Sequence, residues 1–121
     1  MTDATAKAFA AEWIAAWNAH DLDRILSHYA DDVRFVSPFV QRIMGQQDGV
    51  VQGIPALRDY FSRGLAAYPE LRFELYTVLA GVNSVTLYYG SVKNLLAAEV
   101  MVLDSDGRIS SVLAHYANEA P

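Results

Sequence analysis

A short apolar stretch with a single charge in its middle is the feature that most restricts the fold. Residues 95–103 are apolar at every position except Glu99. A run this short, with β-branched residues and an Asp/Gly-rich turn after it, predicts a strand that is buried on both faces. Because side chains alternate along a strand, Glu99 shares a face with Ala97 and Met101. The sequence therefore predicts a carboxyl group surrounded by hydrocarbon.

A buried carboxyl group must find a hydrogen-bond donor or keep its proton. Removing an ionised carboxylate from water costs several kcal/mol, and desolvation can raise its pKa from about 4.3 by roughly 3–5 pH units. Such a group is a candidate general acid or base. The structural alternative is that Glu99 pairs with an arginine on a neighbouring strand or reaches water at a sheet edge. Both readings stay open at the level of the sequence.

Composition limits the classes of protein to which the chain can belong. Its 121 residues, 53% of them hydrophobic, suit one domain over residues 1–121. The net charge of -5 and the lack of a basic cluster argue against nucleic acid and membrane surfaces as partners. Without cysteine, disulfides, thiolate catalysis and cysteine-bound metals are excluded. No signal-peptide pattern and no apolar run of ~18 residues is present, so we expect a soluble, cytoplasmic protein.

The order of the predicted elements indicates an α+β domain. Amphipathic patterns predict helices over residues 5–18, 21–29 and 55–68, and alternating patterns predict strands over residues 33–37, 71–80, 85–92, 95–103 and 108–116. Helices followed by a meander of strands are typical of helices packed on one face of a curved antiparallel sheet. The apolar, glycine-containing segment 39–53 is predicted to be a flap.

Hairpin geometry predicts which residues lie beside Glu99. A turn centred on residues 93–94 would place Tyr88 opposite Glu99, where its phenol could donate to the carboxylate. A slip of one residue would substitute Tyr89. A turn centred on residues 105–106 would place Val112 opposite Glu99 on the other side. Glu99 and Tyr88 are therefore the candidate catalytic residues.

The helical stripes and the face of the sheet that carries Glu99 together predict an aromatic and aliphatic cavity. Each aromatic residue could instead be an ordinary part of the hydrophobic core. The prediction of a cavity therefore rests on the whole group of aromatic residues and on the polar atoms that the Tyr and Trp side chains carry. The residues expected to contact a substrate are Trp13, Trp17, Tyr29, Phe35, Ser37, Phe61, Met101, Val112, Ala114 and Tyr116.

The histidines and the acidic turn predict no metal site or cofactor. His20 and His28 lack the spacing of a zinc helix, and we expect His115 to lie on the outer face of the sheet. The turn at residues 104–107 misses the spacing of a calcium loop and lacks its closing Glu. No nucleophile elbow is present.

Several blocks of the chain resemble the nuclear transport factor 2-like (NTF2-like) superfamily, particularly its SnoaL-like and ketosteroid isomerase-like members. These blocks are residues 13–23, 29–33, 53–61 and 98–109. The resemblance implies a cone-shaped, strongly curved antiparallel sheet wrapped around three helices, the cystatin-like α+β roll. It also implies a deep pocket open at one end and, frequently, a dimer through the outer face of the sheet. One fold hosts many functions, so an activity does not follow.

The resemblance also suggests roles for individual residues. Glu99 falls where ketosteroid isomerases keep a protonated aspartic acid that donates to the developing oxyanion. Ser37 stands at the position of that family's aspartate base, and Trp13 at the position of its oxyanion tyrosine. We therefore expect no ketosteroid isomerase activity. SnoaL-like polyketide cyclases use a carboxyl group on the sheet as acid or base, a role that Glu99 could fill.

Three functions remain compatible with the sequence. In the first, Glu99 is the acid or base of an isomerase or cyclase acting on an enolisable carbonyl compound. In the second, the pocket holds a small apolar molecule without chemistry. In the third, the apolar outer face of the sheet forms a homodimer or covers a partner. The residues of that face are Leu96, Ala98, Val100, Val102, Leu113 and His115.

Overall fold

The computed structural model describes residues 1–117, which form four α-helices, six strands and one 3-10 turn. The helices are α1 (Asp3–Asn18), α2 (Leu22–Leu26), α3 (Pro38–Met44) and α4 (Ile54–Ala67). The strands are β1 (Tyr29–Val36), β2 (Val50–Gln52), β3 (Glu74–Ala80), β4 (Ser84–Gly90), β5 (Leu96–Leu103) and β6 (Ile109–Ala117). The 3-10 turn, Val92–Asn94, joins β4 to β5. This architecture confirms the predicted α+β class.

The six strands form one open sheet in the order β2-β1-β6-β5-β4-β3. The meander from β3 to β6 is antiparallel, as predicted. β1, however, runs parallel to β6, so the sheet is mixed. This pairing joins strands that are far apart in sequence, and no local hairpin signal could have revealed it.

The helices cover the face of the sheet that carries Glu99. The buried side of α1 consists of small and aromatic residues, including Ala10, Trp13 and Trp17, and packs against β3. α4 packs against β1 and β2 through its buried residues Leu57 and Phe61. Burying such apolar area is the main driving force for this packing. The helix stripes predicted from the sequence therefore do line the interior.

The segment predicted to be a flap contains α3 and the edge strand β2. Ser37 is the N-cap of α3, and its hydroxyl accepts a hydrogen bond from the Phe39 amide at 3.1 Å. Pro38 occupies the first helical turn, and Gly45 ends the helix in the left-handed conformation. The Ser37-Pro38 pair is thus a helix start, although the alternating pattern predicted Ser37 as the end of a strand.

Two strands begin at residues that differ from the predicted ones, and the reason is the same for both. β1 begins at Tyr29, which was placed at the end of a helix, and β3 begins at Glu74 instead of residue 71. Tyr29, Leu71 and Phe73 are all buried apolar side chains, which fit the end of one element as well as the start of the next. Among the residues described, no helix is long and apolar enough to cross a membrane.

Candidate functional site

Glu99 lies in the interior, 3% exposed, on the face of β5 that looks toward the helices. Its Oε1 accepts a hydrogen bond from the Tyr89 hydroxyl at 2.5 Å. Its Oε2 has no hydrogen-bond partner within residues 1–117. Unpartnered buried polar atoms are rare in folded proteins, and each calls for an explanation, of which a catalytic role is one. The carboxyl group is therefore held at one oxygen and unsatisfied at the other.

The prediction that Tyr88 lies opposite Glu99 was wrong, and Tyr89, the predicted alternative, reaches Glu99 from a diagonal position and not from directly opposite. Leu87 pairs with Glu99, and Tyr88 pairs with Ala98 on the outer face. There the Tyr88 ring lies 5.8 Å from the ring of Tyr76. The physical reason is the β4–β5 connection, where the amide of residue 91 bonds to the carbonyl of residue 95 around a left-handed Lys93. The turn is centred on one residue instead of two, which exchanges the faces of both tyrosines.

On the other side of β5, Ala114 pairs with Glu99, and Val112 pairs with Met101. The predicted Val112–Glu99 pairing was therefore wrong by two positions. The hairpin is centred on residue 106, which accounts for one position, and a register shift between Val102 and Leu103 accounts for the other. Because two positions preserve the alternation of side chains, Ala114 still lies on the predicted face.

The inner cavity, a space of about 60 Å³, lies beside Glu99. Its wall is built mainly from aromatic rings: Trp13, Trp17, Phe35, Phe39, Tyr60, Phe61, Tyr68, Phe73, Tyr89 and Tyr116. Glu99 is the charged residue of this wall, and no lysine, arginine or histidine among the described residues lines it. Part-exposed residues of α3, α4 and the β4–β5 connection, among them Ile43, Gly64 and Ser91, form its mouth. The cavity thus combines an apolar wall with one acid.

The structure brings only some of the predicted substrate-contacting residues to this cavity. Trp13, Trp17, Phe35, Phe61 and Tyr116 line it together with Glu99. The other predicted residues, namely Tyr29, Ser37, Met101, Val112 and Ala114, lie outside its wall.

The residues outside the wall have identifiable positions in the core. Met101 and Val112 are fully buried against each other on neighbouring strands. Tyr29 lies behind Trp13, whose indole Nε1 donates to the Tyr29 hydroxyl at 3.1 Å. Ser37 caps α3. Sharing a face with Glu99 is therefore not sufficient to reach the cavity.

Sequence reasoning missed four aromatic residues of the wall, Phe39, Tyr60, Tyr68 and Phe73. Tyr60 belongs to the apolar stripe of α4, which was a usable signal. Phe73 precedes β3, and its ring lies 4.9 Å from that of Tyr89 and 5.7 Å from that of Trp13. Phe39 sits in the segment treated as a flap. Its position became clear only with the helix α3.

Burial controls the ionisation of the site. Desolvation raises the pKa of Glu99 to about 7, and the hydrogen bond from Tyr89 acts in the opposite direction. Burial, followed by the negative charge of Glu99, also raises the pKa of Tyr29, Tyr60 and Tyr89. These phenols therefore keep their protons at neutral pH, while Glu99 can both gain and lose one.

A second buried polar atom near the cavity also lacks a partner. The indole Nε1 of Trp17 makes no hydrogen bond within residues 1–117. This nitrogen lies close enough to the Tyr29 hydroxyl to lower the pKa of that phenol, but the two groups do not have the geometry of a hydrogen bond. One unsatisfied donor and one unsatisfied acceptor thus belong to residues of the same wall. Among the described residues, no group of three or more His, Cys, Asp or Glu could hold a metal ion.

A model of the SnoaL-like domain matches residues 10–112. The chain belongs to the SnoaL-like domain family. A SnoaL-like protein of unknown function from Burkholderia thailandensis E264 is 46% identical, with 96% of this chain and 97% of that chain covered and a TM-score of 0.92. This SnoaL-like fold is consistent with the NTF2-like superfamily.

More distant structures share the fold of this SnoaL-like domain. The epoxide hydrolase/cyclase-like enzyme SalBIII, which acts in pyran ring formation in the polyether salinomycin, is 21% identical with a TM-score of 0.73. That match covers 93% of this chain and 91% of that one. A candidate isomerase of the SnoaL-like family from Agrobacterium tumefaciens C58 is 20% identical with a TM-score of 0.74, covering 93% and 97%. A search of curated proteins found no match.

Proposed function

We propose that this SnoaL-like protein binds a small, largely apolar carbonyl compound and that Glu99 transfers a proton on it, as in isomerisation or ring closure. The observation that supports this is the state of the carboxyl group. One oxygen is held by Tyr89, the other is unsatisfied, and the pKa of the group is raised to about 7 beside an aromatic cavity. A base whose pKa lies near the working pH transfers protons efficiently in both directions.

The proposed reaction needs no oxidant or reductant. Ionised Glu99 takes a proton from the carbon next to the carbonyl, and the electron pair of that C–H bond forms the C=C bond of an enol or enolate. The carbonyl oxygen takes up the negative charge as the enolate forms. Protonated Glu99 then returns its proton to another carbon. Alternatively, the enolate carbon attacks a second carbonyl to close a ring, and protonated Glu99 gives its proton to the alkoxide that forms.

The size of the cavity favours a small substrate. Pockets that enclose drug-sized ligands have volumes of about 300–1,000 Å³. The inner cavity has about 60 Å³. A steroid is therefore too large for it, and Ser37, at the position of a base in ketosteroid isomerases, supplies no second carboxylate. Both features support a reactive group of a few heavy atoms.

The named chemistry of two structural neighbours supports the same class of reaction. SalBIII is described as cyclase-like, and the Agrobacterium protein as a candidate isomerase. Cyclisation and isomerisation both need a group that moves protons. At 20–21% identity these proteins share the fold alone, so the chemistry assigned to Glu99 rests on its own surroundings.

The direct test is exchange of carbon-bound hydrogen. Small cyclic ketones are incubated with the protein in D₂O, and loss of the α-proton signal is followed by NMR. We expect exchange above the buffer rate in the wild type, rising with pH through about 7, and loss of this catalysis in Glu99→Gln. Tyr88→Phe, which removes a phenol from the outer face, is the matched control and should behave as the wild type. Equal exchange in the wild type and Glu99→Gln would end the proposal.

A non-catalytic binding protein is the alternative, and it is favoured because no second carboxylate within residues 1–117 lines the cavity. In that case Glu99 only orients a ligand. The same ketones would then raise the melting temperature by mass action, without any exchange above buffer. Thermal shift and exchange measured on one sample therefore separate the two functions.

We also propose that the outer face of the sheet pairs with a second copy of the chain. Leu79, Thr86, Val100 and Leu113 lie side by side across β3, β4, β5 and β6, and Val102 and Leu113 are 42% and 46% exposed. The outward positions of β4, β5 and β6 carry no Asp, Glu, Lys or Arg. Because the chain has a net charge of -5, two copies meet with least repulsion through this uncharged face.

Light scattering at micromolar concentration tests the dimer. We expect twice the chain mass for the wild type and a single chain mass for Leu113→Lys. Val82→Lys, at an exposed position outside the strands, is the control for added charge and should leave the dimer intact. A wild-type monomer would refute this assignment without affecting the proposal for Glu99.

A further inference from the structure

A second and larger space lies at the mouth of the inner cavity. This outer groove has a volume of about 420 Å³ and runs between the C-terminal end of α4 and the β4–β5 connection. Four residues, Tyr68, Leu71, Ser91 and Val92, belong to the walls of both spaces. The inner cavity and the outer groove therefore adjoin each other at these four shared residues.

The two spaces differ in charge. The inner cavity carries the acid Glu99 and no base among the described residues. The outer groove carries two cations, Arg72 and Lys93, and one acid, Glu70. Within residues 1–117, neither Arg72 nor Lys93 forms an ion pair, and the Lys93 Nζ lies 5.8 Å above the ring of Tyr68. In a chain with a net charge of -5, two such cations at one mouth form a local positive region.

The backbone fixes Lys93 at this mouth. Lys93 and Asn94 have φ angles of 55° and 58°, in the left-handed region that lysine rarely adopts. A hydrogen bond of 2.7 Å from the Ser91 amide to the Leu95 carbonyl closes the turn around them. Residues in such conformations cluster at ligand-binding positions, where the surrounding structure holds them. The same turn also places Tyr89 on the face of Glu99, so one feature shapes both spaces.

We propose that the ligand has two parts: a small neutral carbonyl group in the inner cavity and a carboxylate-bearing tail in the outer groove, between Arg72 and Lys93. The identity of the carbonyl group rests on the function proposed above. The charges set the orientation, because Glu99 repels an anionic group from the inner cavity while the two cations attract it at the mouth. The outer groove thereby holds the part of the ligand that the small inner cavity cannot enclose.

The test compares matched probes of increasing chain length. Straight-chain methyl ketones that end in a carboxylate are titrated against the corresponding methyl esters, and binding is followed by the indole signals of Trp13 and Trp17. We expect one chain length at which the keto acid binds about five- to tenfold more tightly than its ester, as two exposed ion pairs allow. Arg72→Gln/Lys93→Gln should abolish this difference and leave the binding of the ester unchanged.

A charge-matched control guards against a general effect of net charge. Lys7→Gln/Arg108→Gln removes the same charge from residues outside both spaces and should keep the preference for the acid. Equal binding of acid and ester at every length, or a preference that survives Arg72→Gln/Lys93→Gln, would overturn the proposal. Because this readout is binding, it remains valid if no hydrogen exchange occurs, and exchange without an acid preference would leave the role of Glu99 standing.

Discussion

The hydroxyl of Tyr89 donates a 2.5 Å hydrogen bond to Oε1 of Glu99, from a diagonal position on the neighbouring strand. This bond satisfies half of a carboxyl group that is otherwise enclosed by aromatic rings. It stabilises the ionised form, while burial stabilises the protonated form. The opposition of these two effects places the pKa of Glu99 at about 7, where the group can act as acid and as base.

Removing that hydrogen bond should raise the pKa of Glu99. In Tyr89→Phe the ring remains but the donor is lost, so only the effect of burial is left. We expect the carboxyl group to titrate above about 7. Carboxyl ¹³C NMR of labelled Glu measures this directly. Tyr88→Phe, on the opposite face, should leave the pKa unchanged, and a shift in that variant would contradict the observed register.

The stability of the wild type should fall with rising pH because of Glu99. Its folded pKa is about 7, raised from 4.5, so its stabilising contribution is complete below pH 4.5 and is lost as the pH rises through about 7. The full loss is roughly 3 kcal/mol. Glu99→Gln cannot ionise and should be more stable than the wild type at about pH 8 but not at about pH 4.5. Urea unfolding at both pH values gives the comparison. The same advantage at both would show that Glu99 is ionised throughout.

A surface ion pair has the opposite dependence on pH. Glu12 Oε1 and Oε2 accept from Arg24 at 2.6 and 2.9 Å, and His28 lies 3.0 Å from Oε2. The bonds from Arg24 above all lower the pKa of Glu12 to about 2, so its contribution is present above 4.5 and is lost as the pH falls through about 2.

Since the Glu12 side chain is 42% exposed, we expect Glu12→Gln to cost about 0.5–1 kcal/mol at neutral pH. Urea unfolding at pH values from about 6 to about 3 checks this. The cost should shrink on acidification and in high salt. A cost that is independent of pH would assign the effect to packing instead of charge.

Gly64 offers a stabilising substitution at the mouth of the inner cavity. It lies inside α4, and a Cβ added there meets no heavy atom within 4 Å. Gly64→Ala should therefore raise the free energy of unfolding by about 0.5–1 kcal/mol, the difference in helix propensity. Gly107→Ala is the contrasting variant, because its φ of 78° disfavours any side chain, and it should destabilise. Thermal or urea unfolding of both tests the helix and the turn together.

Periodic sequence patterns predicted the strands of the meander, β3 to β6, because burial acts on each strand locally, but they gave no indication of β2. Residues 95–103 were predicted for β5, and the strand is Leu96–Leu103. Alternation correctly placed Glu99 with Ala97 and Met101 inside, and Val102 outside. The position of Tyr88 could not be obtained in this way. It depends on the left-handed conformation of Lys93, which has no signature in the residue type.

The sequence by itself determined the α+β class and the burial of one acid among apolar residues. It also determined the resemblance to the NTF2-like superfamily, which the blocks around Trp13 and Glu99 carry. These follow from the periods of helices and strands, which each segment carries locally. Only the tertiary structure decided that Tyr89 holds the acid, that β1 runs parallel to β6, and that the cavity is small. Register and cavity volume depend on how distant segments pack, and a side chain contributes to them only through neighbours that the chain brings together on folding.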